Sequence, residues 1–219
     1  MPKAAAARHP LHRHLTILGR RDPHIRRAIK EVGLPGPRRI EPGFAALVRI
    51  IVDQQVSTAS GAAIWARLAH ACDGAVTPAR ILAHGEMGLR GCGLSGPKAR
   101  YVLGVAEAVA NNHLDLDALD AADDDAVRAT LTALKGIGNW TADIYLMFAM
   151  GRTDVWPVAD LALQHGVRLL HGRRKKPTVK VMATVGELWR PYRSGAAILL
   201  WHYYGSARKK LVKRPNRRG

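Results

Sequence analysis

The sequence predicts an all-α protein, and two observations carry that prediction. Apolar residues recur at three- and four-residue spacing along most of the chain, which is the period of one helical face. No turn dipeptide is flanked by alternating apolar and polar runs, so nothing reads as a β-hairpin, and there is no internal repeat and no low-complexity tract. Taken in order, Phe44, Leu47, Val48, Ile51 and Val52 mark the inner face of a helix. Asp53-Gln54-Gln55-Val56 follows as a short turn. Ser57 suits the N-cap of a second helix, Thr58 to His70, carrying Ile64, Trp65 and Leu68. The glycine-rich stretch Gly91-Cys92-Gly93-Leu94-Ser95-Gly96-Pro97 is a turn ahead of a helix from about Lys98 to Asn111. Asp123 to Ala133 is a further short helix, interrupted by Gly136-Ile137-Gly138. Asn139 to Met150 resumes as a helix with Ile144, Met147 and Phe148 inward. Pro157 fits the first turn of a helix reaching about Leu170, where proline is tolerated; Asp160 would then lie in that first turn. Arg173-Arg174-Lys175-Lys176-Pro177 is a basic loop. Val179 to Leu188 and Ser194 to Tyr204 are the last helices, with Gly205 as a C-terminal cap. Trp65, Trp189 and Trp201 fall on apolar faces and are expected in the core.

The chain has 219 residues, 47% of them apolar, enough for one compact domain or two small lobes sharing a cleft. Its 34 Lys+Arg stand against 17 Asp+Glu, a net charge of +17. An excess of that size implies a polyanionic partner, nucleic acid or an anionic membrane. No helix combines a basic face with a broad aromatic one, which sets the membrane reading aside. The charge is uneven. Residues 1–39 carry ten Lys/Arg and two acids, Ala207 to Gly219 carry seven Lys/Arg and no acid, and Asp115 to Asp125 holds six aspartates. The expected organisation is a single unit with a basic N-terminal segment (1–39), a core (40–205) and a basic tail (206–219). The basic ends are either solvated or non-specific DNA-contacting arms. Cys72 and Cys92 are the only cysteines, too few for a disulfide framework, a four-thiolate zinc site or an iron–sulfur cluster. No pair of histidines shows metal spacing with a third ligand; His165 and His171 read as surface or helix residues. No apolar run reaches the roughly 18 to 20 residues of a membrane span. The stretch Met1 to Leu18 lacks the unbroken apolar segment of a signal peptide. The expectation is a cytoplasmic, nucleic-acid-associated protein in a bacterial nucleoid setting.

The sharpest signal is Leu134-Lys135-Gly136-Ile137-Gly138-Asn139-Trp140-Thr141-Ala142. Two glycines two apart between two helices make a tight hairpin, because glycine allows positive φ and close backbone approach. The second helix then opens with free N–H groups, a phosphate-binding geometry that needs no charged side chain. About twenty residues on stands Asp154-Val155-Trp156-Pro157-Val158-Ala159-Asp160. A carboxylate at a helix N-terminus is favoured in its ionised form. Separately, each element also has an ordinary structural reading.

Together they resemble the helix-hairpin-helix DNA glycosylase superfamily, in which the hairpin precedes a catalytic aspartate. Three further segments extend the likeness over roughly residues 40–205. Phe44 to Ser57 is similar to the family's segment ending in Gln-x-Val-Ser. Gly93-Leu-Ser-Gly-Pro-Lys-Ala-Arg-Tyr101 is similar to its Gly-x-Ser-x-x-Lys turn. Trp189-Arg-Pro-Tyr-Arg-Ser-Gly-Ala-Ala-Ile-Leu-Leu-Trp201 resembles its C-terminal helix signature. The resemblance implies a helix-hairpin-helix glycosylase fold, two helical lobes with the active-site cleft between them. Members that cut the strand by β-elimination carry a lysine just before the hairpin's Thr-Ala; here that place is Trp140. The implied activity is therefore hydrolytic, and the nearest group is the DNA-3-methyladenine glycosylases II. The section before Phe44 is too short for the extra β-rich domain of the longest members.

The same resemblance assigns roles. Asp160 would be the catalytic carboxylate, stabilising an oxocarbenium-like sugar or activating water, with Asp154 and Asp143 as alternatives nearby. Trp140 would floor the base pocket, Trp156 and Tyr145 being weaker candidates for it. The Gln54-Gln55 turn would fill the gap left by the flipped base, with Gln55 as the wedge. Gly136, Ile137, Gly138 and Thr141 would hold the DNA backbone. The carbonyls of Thr132, Leu134 and Ile137 would ligate a monovalent cation, with no other cofactor required. The expected partner is duplex DNA containing alkylated bases, bound by a monomer. Two alternatives remain: a non-catalytic helix-hairpin-helix DNA-binding protein, and a glycosylase for other damaged or mismatched bases.

Overall fold

The structure, a computed structural model, describes residues 10–36 and 38–212, side chains 210–212 excepted. Residues 1–9 of the expected basic segment 1–39 and residues 213–219 of the expected tail 206–219 lie outside the described residues. Among those described there are eleven α-helices and no strand: α1 (Pro10–Arg21), α2 (Pro23–Val32), α3 (Phe44–Asp53), α4 (Thr58–Ala71), α5 (Pro78–Gly91), α6 (Gly96–Ala110), α7 (Asp124–Thr132), α8 (Asn139–Phe148), α9 (Leu161–Leu170), α10 (Val179–Glu187) and α11 (Arg193–Val212). A 3₁₀ turn covers Ala118–Ala121. The all-α expectation holds. The helices form two compact units, residues 1–38 with 153–219, and residues 39–152.

In the first unit the basic N-terminal segment folds as two helices that the apolar spacing did not single out. Leu11, Leu15, Leu18, Ile25 and Ala28 bury their side chains, as α1 and α2 pack on α11 and α2 reaches α9. Full burial of each large side chain contributes about 1.5–3 kcal/mol, and the arginines between them stay in solvent. Asp22 starts α2: one carboxylate oxygen accepts the His24 and Ile25 N–H groups, and Pro23 supplies a pre-set φ at the first helical position. The other oxygen accepts the Trp189 indole N–H at 2.9 Å, so the fully buried Trp189 anchors the N-terminal helices. Gly166 lets α9 meet α11 closely, since a Cβ there would stand 3.0 Å from the Leu200 carbonyl.

The second unit is built around α3, whose Ala46, Leu47, Val48, Ile50, Ile51 and Val52 are all buried against α4, α6 and α8. Ser57 caps α4 as its sequence position predicts, accepting the Ser60 N–H at 3.1 Å. Ser95 caps α6 in the same way. α5 was not anticipated; Gly85 (φ +59°) kinks it, which breaks the apolar period.

Two boundaries differ from expectation. α11 continues past Gly205 to Val212, because one glycine inside a helix costs only about 1 kcal/mol and does not by itself end it. α9 begins at Leu161, and Asp160 is its N-cap, not a first-turn residue. Pro157 belongs to the preceding turn, where its carbonyl accepts the Asp160 N–H at 3.0 Å.

Candidate functional site

Asp160 is fixed by local sequence. Its backbone is extended (φ −66°, ψ 120°), and its Oδ1 accepts the Leu163 N–H at 2.6 Å. An aspartate at this place satisfies a helix donor that has no intrahelical partner, and the helix dipole favours its anionic form. The same Oδ1 accepts the indole N–H of Trp201, from α11, at 3.0 Å. Trp201 was expected in the core; it is instead half-buried against this carboxylate. Its partner is about forty residues away in the chain, and neither spacing nor hydropathy encodes that pairing.

The two alternative aspartates are committed elsewhere. Asp154 is held by Arg193, whose Nε donates to Oδ1 (2.8 Å) and Nη2 to Oδ2 (3.1 Å), and by Arg190 Nη1 on Oδ2 (2.9 Å). Asp143 is buried and accepts from Arg128 Nε at 2.7 Å. Both are carboxylates neutralised by guanidinium groups, a structural arrangement. The two hydrogen bonds on Asp160 Oδ1 come from neutral donors.

In the second unit the hairpin joins α7 to α8. The Leu134 carbonyl accepts the Ile137 N–H at 3.1 Å, closing the turn. Gly136 has φ +88°, and a Cβ on it would lie 2.1 Å from the Tyr101 ring. Only glycine meets both conditions. Gly138 differs from expectation: it is the extended N-cap of α8 (φ −102°, ψ 176°), with open space around it. Gly138 and Asn139 are exposed, at the helix end where backbone N–H groups lack intrahelical acceptors. Thr141 is buried, and Ile137 packs inward.

The Gln54-Gln55 turn is tied to this hairpin. Gln54 Nε2 donates to the Gly136 carbonyl (3.1 Å) and to Thr141 Oγ1 (2.9 Å). Lys98 Nζ donates to the carbonyls of Val52 (2.7 Å) and Gln54 (2.5 Å), closing the C-terminal end of α3. Burial pushes the Lys98 ammonium down from its ordinary pKa, and the neighbouring Asp53 opposes that. Gln55 stands at the tip, exposed, with φ +52°, a conformation that a non-glycine residue keeps only when its surroundings impose it. The two glutamines therefore separate: Gln54 is a structural tie, and Gln55 is the presented side chain. Lys98 was legible only as part of a motif, not as the residue that holds the turn.

The aromatic candidates sort by burial. Trp140 is half-buried in the first turn of α8. Tyr145 and Trp156 are buried side chains with interior hydrogen-bond partners. Tyr145 is 1% exposed and its hydroxyl accepts the Gly43 N–H. Trp156 donates to the Met182 carbonyl at 2.8 Å and meets Trp189 edge-on. Trp65 is half-buried beneath the Arg49 guanidinium, not in the core. No group of three or more His, Cys, Asp or Glu among the described residues has metal-site geometry. No described helix is long and apolar enough to cross a membrane.

The HhH-GPD superfamily base excision DNA repair protein pattern matches residues 48–191. The DNA-3-methyladenine glycosylase 1 of Schizosaccharomyces pombe is 30% identical over 187 residues, 82% of each chain. The structure of that yeast's 3-methyladenine DNA glycosylase in complex with abasic DNA superposes with a TM-score of 0.81 at 29% identity, covering 86% of this chain and 95% of that one. A DNA-3-methyladenine glycosidase from Bacillus halodurans superposes with a TM-score of 0.75 at 32% identity, covering 94% of both.

Proposed function

The chain belongs to the HhH-GPD superfamily of base excision DNA repair proteins, and from that premise we propose that it is a monofunctional DNA glycosylase. It hydrolyses the N-glycosidic bond of alkylated purines of the 3-methyladenine type in duplex DNA. The observation that carries this reading is the carboxylate of Asp160, held at a helix N-terminus and by Trp201 on one oxygen.

The target C1′–N bond is inaccessible in the stack, so the nucleotide is flipped out at a cost of a few kcal/mol. Gln55, on a turn braced by Lys98 and by the hairpin, takes the vacated space. The N–H groups opening α8 receive the backbone phosphate. Alkylation at N3 or N7 makes the purine cationic, so it leaves without strong acid assistance. Trp140 offers such a base an aromatic face, worth roughly 0.5–2 kcal/mol. As the bond breaks, positive charge grows on the sugar, as in glycoside hydrolysis. Asp160 stabilises it or directs water to C1′. The Trp201 N–H keeps the carboxylate from rotating away. Because Trp140 stands where lyases carry their lysine, no Schiff base forms and the strand is left intact.

The hairpin's donor chemistry fits a monovalent cation. Its candidate ligands, the carbonyls of Thr132, Leu134 and Ile137, are neutral hard oxygens, and the Leu134 carbonyl has a second lone pair beside the one used by Ile137. Such an ion would add positive charge beside the bound phosphate. The protein acts as a monomer in the cytoplasm.

Methylated duplex DNA tests the reading: free 3-methyladenine is released, identified by chromatography, and strands break only after alkali or heat. Borohydride with abasic DNA traps no covalent complex. A trapped adduct mapped to a lysine near the hairpin, or no base release, contradicts it.

A further inference from the structure

One row of side chains extends from that machinery along the seam of α9 and α11. It begins at the Asp160–Trp201 hydrogen bond. One turn further, the His165 ring from α9 stacks on Tyr204 from α11, with centroids 5.3 Å apart and planes within 11°. One turn further again, the Arg208 guanidinium lies over the other part of that contact, 5.8 Å from the Tyr204 ring centroid. The α11 members, Trp201, Tyr204 and Arg208, are three and four residues apart, so they share a helical face. An exposed arginine parked on a half-buried tyrosine keeps its fork ordered at little entropy cost.

The row lies in positive surroundings. Arg168 and Lys176 are near enough to act on His165; with burial as the larger cause, they hold its pKa below the usual histidine value. Histidine is then a neutral donor or acceptor at physiological pH, and the formal charge comes from the arginines and the basic loop at 173–176. Neither Arg168 nor Arg208 enters an ion pair among the described residues, and Arg168 Nε is buried with no hydrogen-bond partner. The other described acids of this unit are engaged: Asp22 by Trp189 and the start of α2, Glu31 by Arg27 and Tyr203, and Asp154 and Glu187 by Arg190 and Arg193.

We propose that this seam is a second DNA-contact tract, in which His165, Tyr204 and Arg208 take phosphates of the lesion strand close to the flipped nucleotide. The proposal rests on Asp160 meeting that nucleotide. From Asp160 to Arg168 α9 advances about 12 Å at 1.5 Å per residue, or three to four nucleotide rises at about 3.4 Å each. The contacts fall within that span. They add affinity and register without reading sequence.

The test measures binding of the full chain to a duplex with a tetrahydrofuran abasic site across a salt series. Arg208→Ala reduces the slope of log K against log salt by about 0.9, one phosphate's share. Tyr204→Phe leaves the slope unchanged, and Tyr204→Ser reproduces the Arg208→Ala loss because the guanidinium has lost its platform. Single methylphosphonates are then stepped along the lesion strand. They weaken the wild-type protein at one or two linkages within four nucleotides of the site, and Arg208→Ala no longer responds there. A wild-type slope in Arg208→Ala, or identical methylphosphonate profiles for variant and wild type, overturns the tract. Base release by the wild type separates the two claims: failure of the glycosylase reading shows as no excision by the wild type, whereas failure of the tract shows as a wild-type salt slope in Arg208→Ala while the wild type still excises.

Discussion

The two units differ almost completely in charge. Residues 1–38 and 153–219 hold 24 Lys/Arg against 5 Asp/Glu, whereas residues 39–152 hold 10 against 12. The unit with the hairpin and the Gln55 turn, the elements proposed to meet flipped DNA, carries a small negative charge. Its contribution is geometric: backbone N–H groups, a tied turn and a glycine that no other residue replaces. The unit with Asp160 carries the excess positive charge and, on the proposed function, the electrostatic attraction to DNA. A charge tally over the whole chain points to nucleic acid without showing that the hairpin lies in the unit that lacks the excess. On the proposed function affinity and placement are separable, and substitutions should split them.

The largest effect is expected in the unit without excess positive charge. Gly136→Val places a β-branched side chain at φ +88° and into the Tyr101 ring. It should lower stability by about 3 kcal/mol or more and abolish excision, read by thermal unfolding and base release. Gly138→Ala, at an extended backbone with open space, should leave both close to wild type. Equal damage from the two would mean that the hairpin does not depend on the close approach at Gly136.

This pair also shows what was legible. The hairpin, the Ser57 cap, the Gln54-Gln55 turn and the order of the core helices follow from local residue types, so a single sequence displays them. Which of the two glycines carries the positive φ depends on Tyr101, some thirty-five residues away. That Trp201 leaves the core for Asp160, and that Tyr145 and Trp156 enter it, depends on tertiary contacts that period and hydropathy do not encode. α1 and α2 were obscured because arginines crowd their apolar stripe. α5 was obscured by the kink at Gly85.

The next effects are about tenfold to a hundredfold. Trp201→Phe keeps the ring and removes the N–H on Asp160 Oδ1. Losing a hydrogen bond to a charged group costs about 1.5–3 kcal/mol, and the single-turnover rate should fall by roughly that factor with DNA affinity unchanged. Lys98→Met frees the Val52 and Gln54 carbonyls and loosens the Gln55 turn. It should weaken binding to abasic duplex while leaving the salt slope at the wild-type value, whereas Lys98→Arg restores part of the affinity. A flattened slope would instead place Lys98 among the phosphate contacts.

The smallest effect concerns stability of the basic unit in acid. His171 ends α9, its ring lies 4.6 Å from that of His24, and its Nε2 is buried without a partner. Burial, then the His24, Arg173 and Arg27 charges, hold its pKa below the ordinary 6.5, against Asp22. The unfolded chain therefore binds the proton more readily. This contribution is fully present above about pH 6.5 and is lost as pH falls through the folded value. Midpoint denaturant concentrations should drop with acidification in that window, and His171→Gln should flatten the drop.

On the proposed function one carboxylate, fixed at the start of α9, performs the chemistry while charge elsewhere supplies affinity. Single-turnover release of 3-methyladenine from methylated duplex DNA by Asp160→Asn, at enzyme concentrations that saturate the DNA, tests it most directly. Asparagine keeps an oxygen for the Leu163 and Trp201 N–H groups, so fold and DNA affinity should be retained, while the rate falls by about a hundredfold or more. Excision by the folded variant at close to the wild-type rate would contradict the account.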